Sequence, residues 1–327
     1  MLNKNYLAVA MMLGASLLAC AVQAQTAAAT YPARSVHLIV PFAPGAFTDG
    51  SARLLAKELS VQTGQTFVVE NKVGASGAIG ADYVAKAAPD GYTLLITETS
   101  FAMTPALNPR LPYDAVRDLV PVSQYADATA VLMMRNGLGV SSVKELVAMA
   151  RAAQGKLSFG SAGTGSSSHL PIEWFSSLAD VKMLHVPFKG AAASIPELIA
   201  GRVDLVMSSV ATGGPHIAAG KVAALAVTGK ERSPALPNVP TFAEAGFPEY
   251  RMSYWFGLFA PAATPRDVVA RLEREVARAM TSPALREAFA RQGAQPIGSS
   301  SAEFTRFVGN EIDLWKKVVV SANVKMD

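Results

Sequence analysis

Four consecutive residues, Ser166, Ser167, Ser168 and His169, place three hydroxyls and an imidazole at the end of a loop (residues 161–169) made almost wholly of Gly, Ser, Ala and Thr. Several roles are open to such a set. His169 could donate to a carboxylate, serve as general base for a neighbouring serine, or cap the helix that follows. Nucleophilic catalysis would also need an orienting acid and an oxyanion hole, and adjacent residues at a helix start point in different directions. Anion binding demands less. Glycine lets backbone N–H groups approach a ligand, and the N-terminus of the next helix carries partial positive charge. A serine hydrolase using Ser166 or Ser168 with His169 is the rival from another class.

The loop lies between a strand-forming stretch at 156–159 and an amphipathic pattern marked by Leu170, Trp174 and Phe175. The same grammar occurs earlier. VHLIV from Val36 is followed by the loop PFAPGAFTD and the helical GSARLLAKEL, with Thr48 or Asp49 placed to cap the helix. A second strand at 67–70 leads through KVGASGAIG into a helix over 81–88, and the Pro89-Asp90-Gly91 turn precedes a third strand at 92–97. Repeated strand, loop and helix units predict a parallel sheet flanked by helices, with ligands beyond the carboxyl ends of the strands.

Residues 119–122 and 129–134 are extended and apolar, separated by Tyr125-Ala126-Asp127, and suggest a crossing into a second lobe that repeats the alternation. The strand at 203–210 precedes a short helix at 215–219, and the strand at 222–228 carries the chain back. A strand at 252–259, a long helix over 265–292 interrupted near Ser282-Pro283, and a terminal helix over 302–319 complete the first lobe. The expected fold is α/β. Residues 25–123 and 227–327 form lobe 1, residues 124–226 form lobe 2, and the hinges fall near 123–125 and 226–229. The loops at 42–49 and 161–169 would then face each other across a cleft.

Composition narrows the function classes. Of 327 residues, 50% are hydrophobic and 17% charged, enough for a substantial core and unlike a disordered chain. The net charge of +4 is scattered; the arginines at 266–291 alternate with Glu273, Glu275 and Glu287 as on a solvated helix face, so no nucleic-acid partner is expected. Residues 1–24 hold Lys4, an apolar run from Tyr6 to Ala19 and a Val22-Gln23-Ala24 ending, the pattern of a secretory signal rather than a membrane span. Cleavage after Ala24 gives an exported, cysteine-free protein, suited to an oxidising compartment. Cys20, the only cysteine, also permits the alternative of a lipid anchor.

Chemistry elsewhere is sparse. GASGAIG lacks dinucleotide-loop spacing, Gly220-Lys221 is no P-loop, and Ser76 sits in no G-x-S-x-G elbow. His37, His169, His185 and His216 lack paired metal-ligand spacing, so neither metal nor cofactor is expected. His37 and His185 fit strand positions, Asp204 a strand start, and Trp174, Trp255 and Trp315 the core. Lys189 could pair with an anionic ligand or be a solvated surface charge.

Taken in order, Tyr31-Pro32, VHLIVPFAPGAFTDGSAR, VENKVGASGAIGADYVAKAAPDGYTLL, FGSAGTGSSSHL, VPFKGAAASIPELIAGRVDL and LPNVPTFAEAGFPEY resemble the Bug-type receptors of tripartite tricarboxylate transporters, across essentially the whole chain beyond residue 24. The resemblance implies a type II periplasmic binding protein, a non-enzymatic monomer closing on a small organic anion such as a carboxylate or acidic amino acid. Its partners would be transporter membrane subunits or, alternatively, a membrane signalling receptor. It also implies a ligand site at Phe42, Ala43, Gly45, Ala46, Asp49, Ser161, Thr164, Gly165, Ser166, Ser167 and His169. The chain departs from the family's P-G-G loop, because Gly45 is followed by Ala46 and Phe47. Phe47 is expected to narrow the pocket or add an aromatic preference.

Overall fold

The computed structural model describes residues 31–45, 47–188 and 191–324. The leader at 1–24, Cys20, Ala46 and Lys189 lie outside the described residues.

The apolar VHLIV stretch forms β1 (Val36–Val40) and leads through the 41–45 loop to α1 (Phe47–Thr63). Then follow β2 (Phe67–Asn71), α2 (Ala78–Ala85), β3 (Thr93–Glu98) and α3 (Ser100–Leu107). Next come the long strand β4 (Leu119–Ala128), β5 (Ala130–Arg135) and α4 (Val143–Ala153). The second half of the alternation comprises β6 (Ser158–Ser161), α5 (Leu170–Ala179), β7 (Leu184–Pro187), α6 (Ala191–Ile199), β8 (Leu205–Ser209), α7 (Val210–Ala218) and β9 (Val222–Val227). The chain ends with β10 (Tyr254–Pro261), α8 (Arg266–Ala279), α9 (Pro283–Arg291), β11 (Ala294–Pro296) and α10 (Ser301–Ser321).

Two mixed sheets result. The first has the order β11-β4-β10-β3-β1-β2, with β1 parallel to β2 and β3, and β10 inserted antiparallel between β3 and β4. The second, β7-β6-β8-β5-β9, repeats the pattern: β6 is parallel to β7 and β8, and β5 runs antiparallel beside β8. A sheet in which the returning strand is inserted antiparallel beside the third strand is the type II arrangement of periplasmic binding proteins. The two lobes are built alike.

Tyr125-Ala126-Asp127 does not interrupt a strand, as the sequence suggested, but continues β4 to Ala128. The reason is distant pairing. Tyr254, Trp255 and Phe256 of β10 lie opposite Ala128, Asp127 and Ala126. Residues 123–125, expected near the hinge, are therefore mid-strand, and the change of sheet comes at Thr129. The return strand β9 ends beside it, where the Ala130 N–H donates to Thr228 Oγ1 and the Thr228 N–H to Ala130 O. Two further elements have no counterpart in the sequence expectations, α3 and the short β11. Val210, expected to end a strand, instead opens α7, because Ser209 caps it by accepting from the Thr212 N–H.

The terminal helix α10 shows how patterning places a core. Phe304, Val308, Glu311, Ile312, Trp315 and Val318 recur at three- and four-residue spacing and are all buried, below a Ser300/Glu303 capping box. Its Phe304 ring fits over Gly257 of β10, where a Cβ would come within 2.1 Å of the ring. The three tryptophans are buried, as expected, and Trp174 meets Trp315 edge-on at 5.7 Å, joining α5 of the second lobe to α10 of the first.

Asp127, next to the change of sheet, accepts hydrogen bonds from Ser253 Oγ and from Gln124 Nε2 at 3.4 Å. Burial nevertheless raises its carboxyl from 3.8 to about 6, a preference for the neutral acid worth roughly 3 kcal/mol. A raised acid stabilises the fold fully below its unfolded value, and that contribution is lost as pH rises through the folded one. Asp127→Asn, which keeps an acceptor for Ser253, should therefore raise the melting temperature at pH 7.5, and the gain should vanish near pH 4. Melting curves at the two pH values check this; an equal gain at both would assign the effect to packing.

Candidate functional site

Both predicted loops lie at the carboxyl ends of parallel strands. In the first, Gly45 adopts φ +89°, and its N–H donates to Asp49 Oδ2 at 3.2 Å. The same carboxylate receives Arg53 Nε at 3.0 Å, Arg53 Nη2 at 2.9 Å and Asn71 Nδ2 at 2.9 Å, and Asn71 Nδ2 also reaches Phe42 O. Burial works to raise the Asp49 carboxyl, but the bonds from Arg53, Asn71 and Gly45 outweigh it and hold it below its ordinary value. Asp49 is thus occupied as the loop's internal tie and does not present a free carboxylate to the cleft. The Phe42 and Ala43 N–H groups meet no acceptor among the described residues. Phe47 is turned into the first lobe, with its ring 4.6 Å from Phe256 and 6.1 Å from Phe289, so it does not stand in the opening as the sequence suggested.

A depressed acid contributes stability above its unfolded value and loses it as pH falls. Asp49→Ala should cost about 2–3 kcal/mol, because Gly45, Asn71 and Arg53 lose their acceptor together. Urea unfolding at neutral pH measures this, and the difference from wild type should shrink toward pH 3.

The second loop is held just as internally. Ser161 Oγ bonds His185 Nε2 at 2.6 Å and accepts from the Gly163 N–H at 3.0 Å. Ser168 Oγ accepts from the Ala162 N–H at 2.8 Å and lies 3.2 Å from Ser166 Oγ. Gly163 and Gly165 take φ +115° and +78°, which the tight path of the loop requires. His169, only 3% exposed, accepts the Gly165 N–H at Nδ1 (3.0 Å) and directs Nε2 toward Glu173 Oε1 at 3.5 Å. Its ring stacks on His185 at 3.8 Å, and burial together with His169 lowers the His185 imidazole to about 4.

The His169 side chain therefore neither caps α5 nor hydrogen-bonds Ser166, Ser167 or Ser168, although its backbone N–H donates to Ser166 O at 2.9 Å. With Nδ1 accepting, the proton sits on Nε2, which faces Glu173. Among the described residues, the backbone N–H groups of Thr164, Ser167 and Ser168 meet no acceptor, which leaves neutral donors on the loop.

The residues that join this loop to the first lobe are ones the sequence did not single out. Tyr254 Oη donates to Ser167 O, and Leu107 lies against Gly165, where an added Cβ would come within 2.6 Å of Leu107 Cδ1. Glu98 ends β3 beside the Ser100 and Ser167 hydroxyls, with its carboxyl raised by burial and only partly eased by those neighbours. The one available signal was an acid ending an otherwise apolar strand, at the edge where such sheets bind ligands. No group of His, Cys, Asp and Glu able to hold a metal is found among the described residues, and no described helix is long and apolar enough to cross a membrane.

The family model for the tripartite tricarboxylate transporter family receptor matches residues 51–324. The chain belongs to that receptor family. Three solved structures are similar over nearly their whole length. The periplasmic binding protein BugD is 32% identical, with a TM-score of 0.82 over 91% of this chain and 100% of its own. Rpa4515 of R. palustris with adipate is 38% identical, with a TM-score of 0.83 over 90% and 99%. MatC (Rpa3494) of Rhodopseudomonas palustris with bound malate is 33% identical, with a TM-score of 0.81 over 88% and 100%. The chain thus shares its two-lobed fold with a periplasmic binding protein and with two proteins solved with the dicarboxylates adipate and malate.

Proposed function

We propose that this chain is an exported receptor that closes its lobes on a small organic anion, holds it without turnover, and hands it to transporter membrane subunits. The observation that carries this reading is the pair of donor-rich loops, with the N–H groups of Phe42 and Ala43 on one lobe and of Thr164, Ser167 and Ser168 on the other. Amide donors fixed by buried ties such as Asp49 and His169 suit reversible capture of a carboxylate, because they need no reorganisation when it arrives. The adipate and malate complexes of similar receptors support the ligand class. Of the expected site residues, Asp49, Ser161 and His169 shape the loops, while Phe42, Ala43, Gly45, Thr164, Gly165, Ser166 and Ser167 contribute the contact surface.

The hinge in this reading is the pair of passages at Thr129 and Thr228, with the second lobe between them. The mature protein acts in the periplasm as a monomer, after removal of residues 1–24. A ligand that binds the closed form shifts the population toward it.

Thermal melting of residues 25–327, unfolded and refolded to strip any carried ligand, tests the reading against a panel of small carboxylates and amino acids. A true ligand at a hundredfold excess over its dissociation constant stabilises by about 2.7 kcal/mol, an evident rise in melting temperature. No rise with any acid of the panel would overturn the reading.

A further inference from the structure

Glu98 is 5% exposed and ends β3 opposite Phe256 of β10. It lies where the lobes meet, since Ser167 beside it belongs to the second-lobe loop and is held by Tyr254 of the first. Among the described residues, Glu98 Oε2 is buried and makes no hydrogen bond, and neither does the adjacent, buried Ser100 Oγ. The Ser100 hydroxyl, the Ser100 N–H and the Ser167 hydroxyl stand near enough to the carboxyl to ease its ionisation, yet none completes a bond of good geometry to Oε2. Among the described residues, no lysine, arginine or histidine acts on this carboxyl. Buried polar atoms left without a partner are rare in native proteins, and a bound water, an ion or a ligand group accounts for many of them.

The sign of the charge narrows that partner. A ligand bearing only carboxylates would bring like charge toward a desolvated acid, where the interaction is screened far less than in water. An ammonium supplies opposite charge and three donors, enough for Glu98 Oε2 and the Ser100 hydroxyl together.

We propose that the cleft selects an acid that also carries a protonated amine, its carboxylate on the loop amides and its ammonium on Glu98 Oε2 and Ser100 Oγ. This rests on the receptor reading above and adds to it a specificity-determining residue. Glu98 rejects plain dicarboxylates and admits amino acids.

Isothermal titration at pH 7.5 with matched pairs tests it: succinate against aspartate, glutarate against glutamate, adipate against 2-aminoadipate, and butyrate against 4-aminobutyrate. In the best-fitting pair the aminated acid should bind on the order of 100-fold tighter. Glu98→Gln, which keeps the shape and removes the charge, should erase that preference by weakening the aminated acid and strengthening the plain one. Equal or tighter binding of the plain acid by wild type overturns the role of Glu98 while leaving the receptor reading intact. So does a preference that survives in Glu98→Gln. If no member of any pair binds, the receptor reading falls, and this assignment with it. Should Glu98→Gln not fold, the wild-type comparison alone decides.

Discussion

Gly165→Val will weaken ligand capture by roughly 10- to 100-fold while both lobes remain folded. Two effects act on this residue and can be separated. Its φ of +78° is disfavoured for any side chain, which costs about 1–2 kcal/mol in open and closed forms alike, and so lowers stability without changing affinity. The second effect exists only when the lobes meet. A Cβ at 165 would lie 2.6 Å from Leu107 Cδ1, and Leu107 ends α3 on the opposite lobe. Overpacking of this kind costs about 1–3 kcal/mol, charged wholly to the closed form, which gives the stated loss of affinity. Leu107→Ala in the Gly165→Val background removes the obstacle and should restore most of the binding, leaving only the backbone strain. Titration of the three variants with the acid that most raises the wild-type melting temperature decides it. A Gly165→Val protein that binds like wild type would remove the Gly165–Leu107 contact from closure, and small-angle scattering should show a larger radius of gyration if the wedge is real.

Where local sequence sufficed and where it did not follows from how far away each residue finds its partner. VHLIV, the Gly/Ser loop and the three-four spacing of α10 carry their structure in their own composition, and the family motifs fix their order. The Tyr125-Ala126-Asp127 stretch looks like a break because it carries a polar residue. Asp127 is satisfied by Ser253, 126 residues away, and β4 continues through it. By composition His169 is a candidate donor, but its acceptor nitrogen is taken by an N–H four residues earlier, a bond invisible until the loop is folded. The local pattern puts His185 in a strand; that it latches Ser161 depends on β6 and β7 lying side by side. Ala46 and Lys189 fall outside the described residues. The least legible feature is Glu98, whose significance lies in one buried oxygen, Oε2, that meets no donor among the described residues, and only the fold can show that.

Glu311→Ala should destabilise the protein by about 3–5 kcal/mol, lowering the melting temperature by on the order of 10 °C. Glu311 Oε2 accepts from Trp255 Nε1 and Trp315 Nε1, each at 3.1 Å, and both indoles are fully buried. Burial raises this carboxyl, the two indole bonds offset part of the rise, and Asp127 adds to it. Removing the side chain leaves two N–H groups without an acceptor and opens a cavity against α10. Glu311→Gln retains a carbonyl oxygen for the indoles and sheds the buried charge, so it should cost far less, with Glu311→Leu between the two. The raised acid stabilises the fold at low pH and loses that contribution as pH rises through its folded value. Wild type should therefore lose stability toward alkaline pH more steeply than Glu311→Gln does, and melting curves across pH compare them. The consequence reaches the cleft as well, because Trp315 is the ring that meets Trp174 of the second lobe edge-on. Glu311 fixes that indole through its N–H, so the same deletion loosens the bearing between the lobes. At temperatures where Glu311→Ala is still folded, its ligand affinity should fall while that of Glu311→Gln stays near wild type. Equal affinities in the two variants would confine Glu311 to the core of the first lobe.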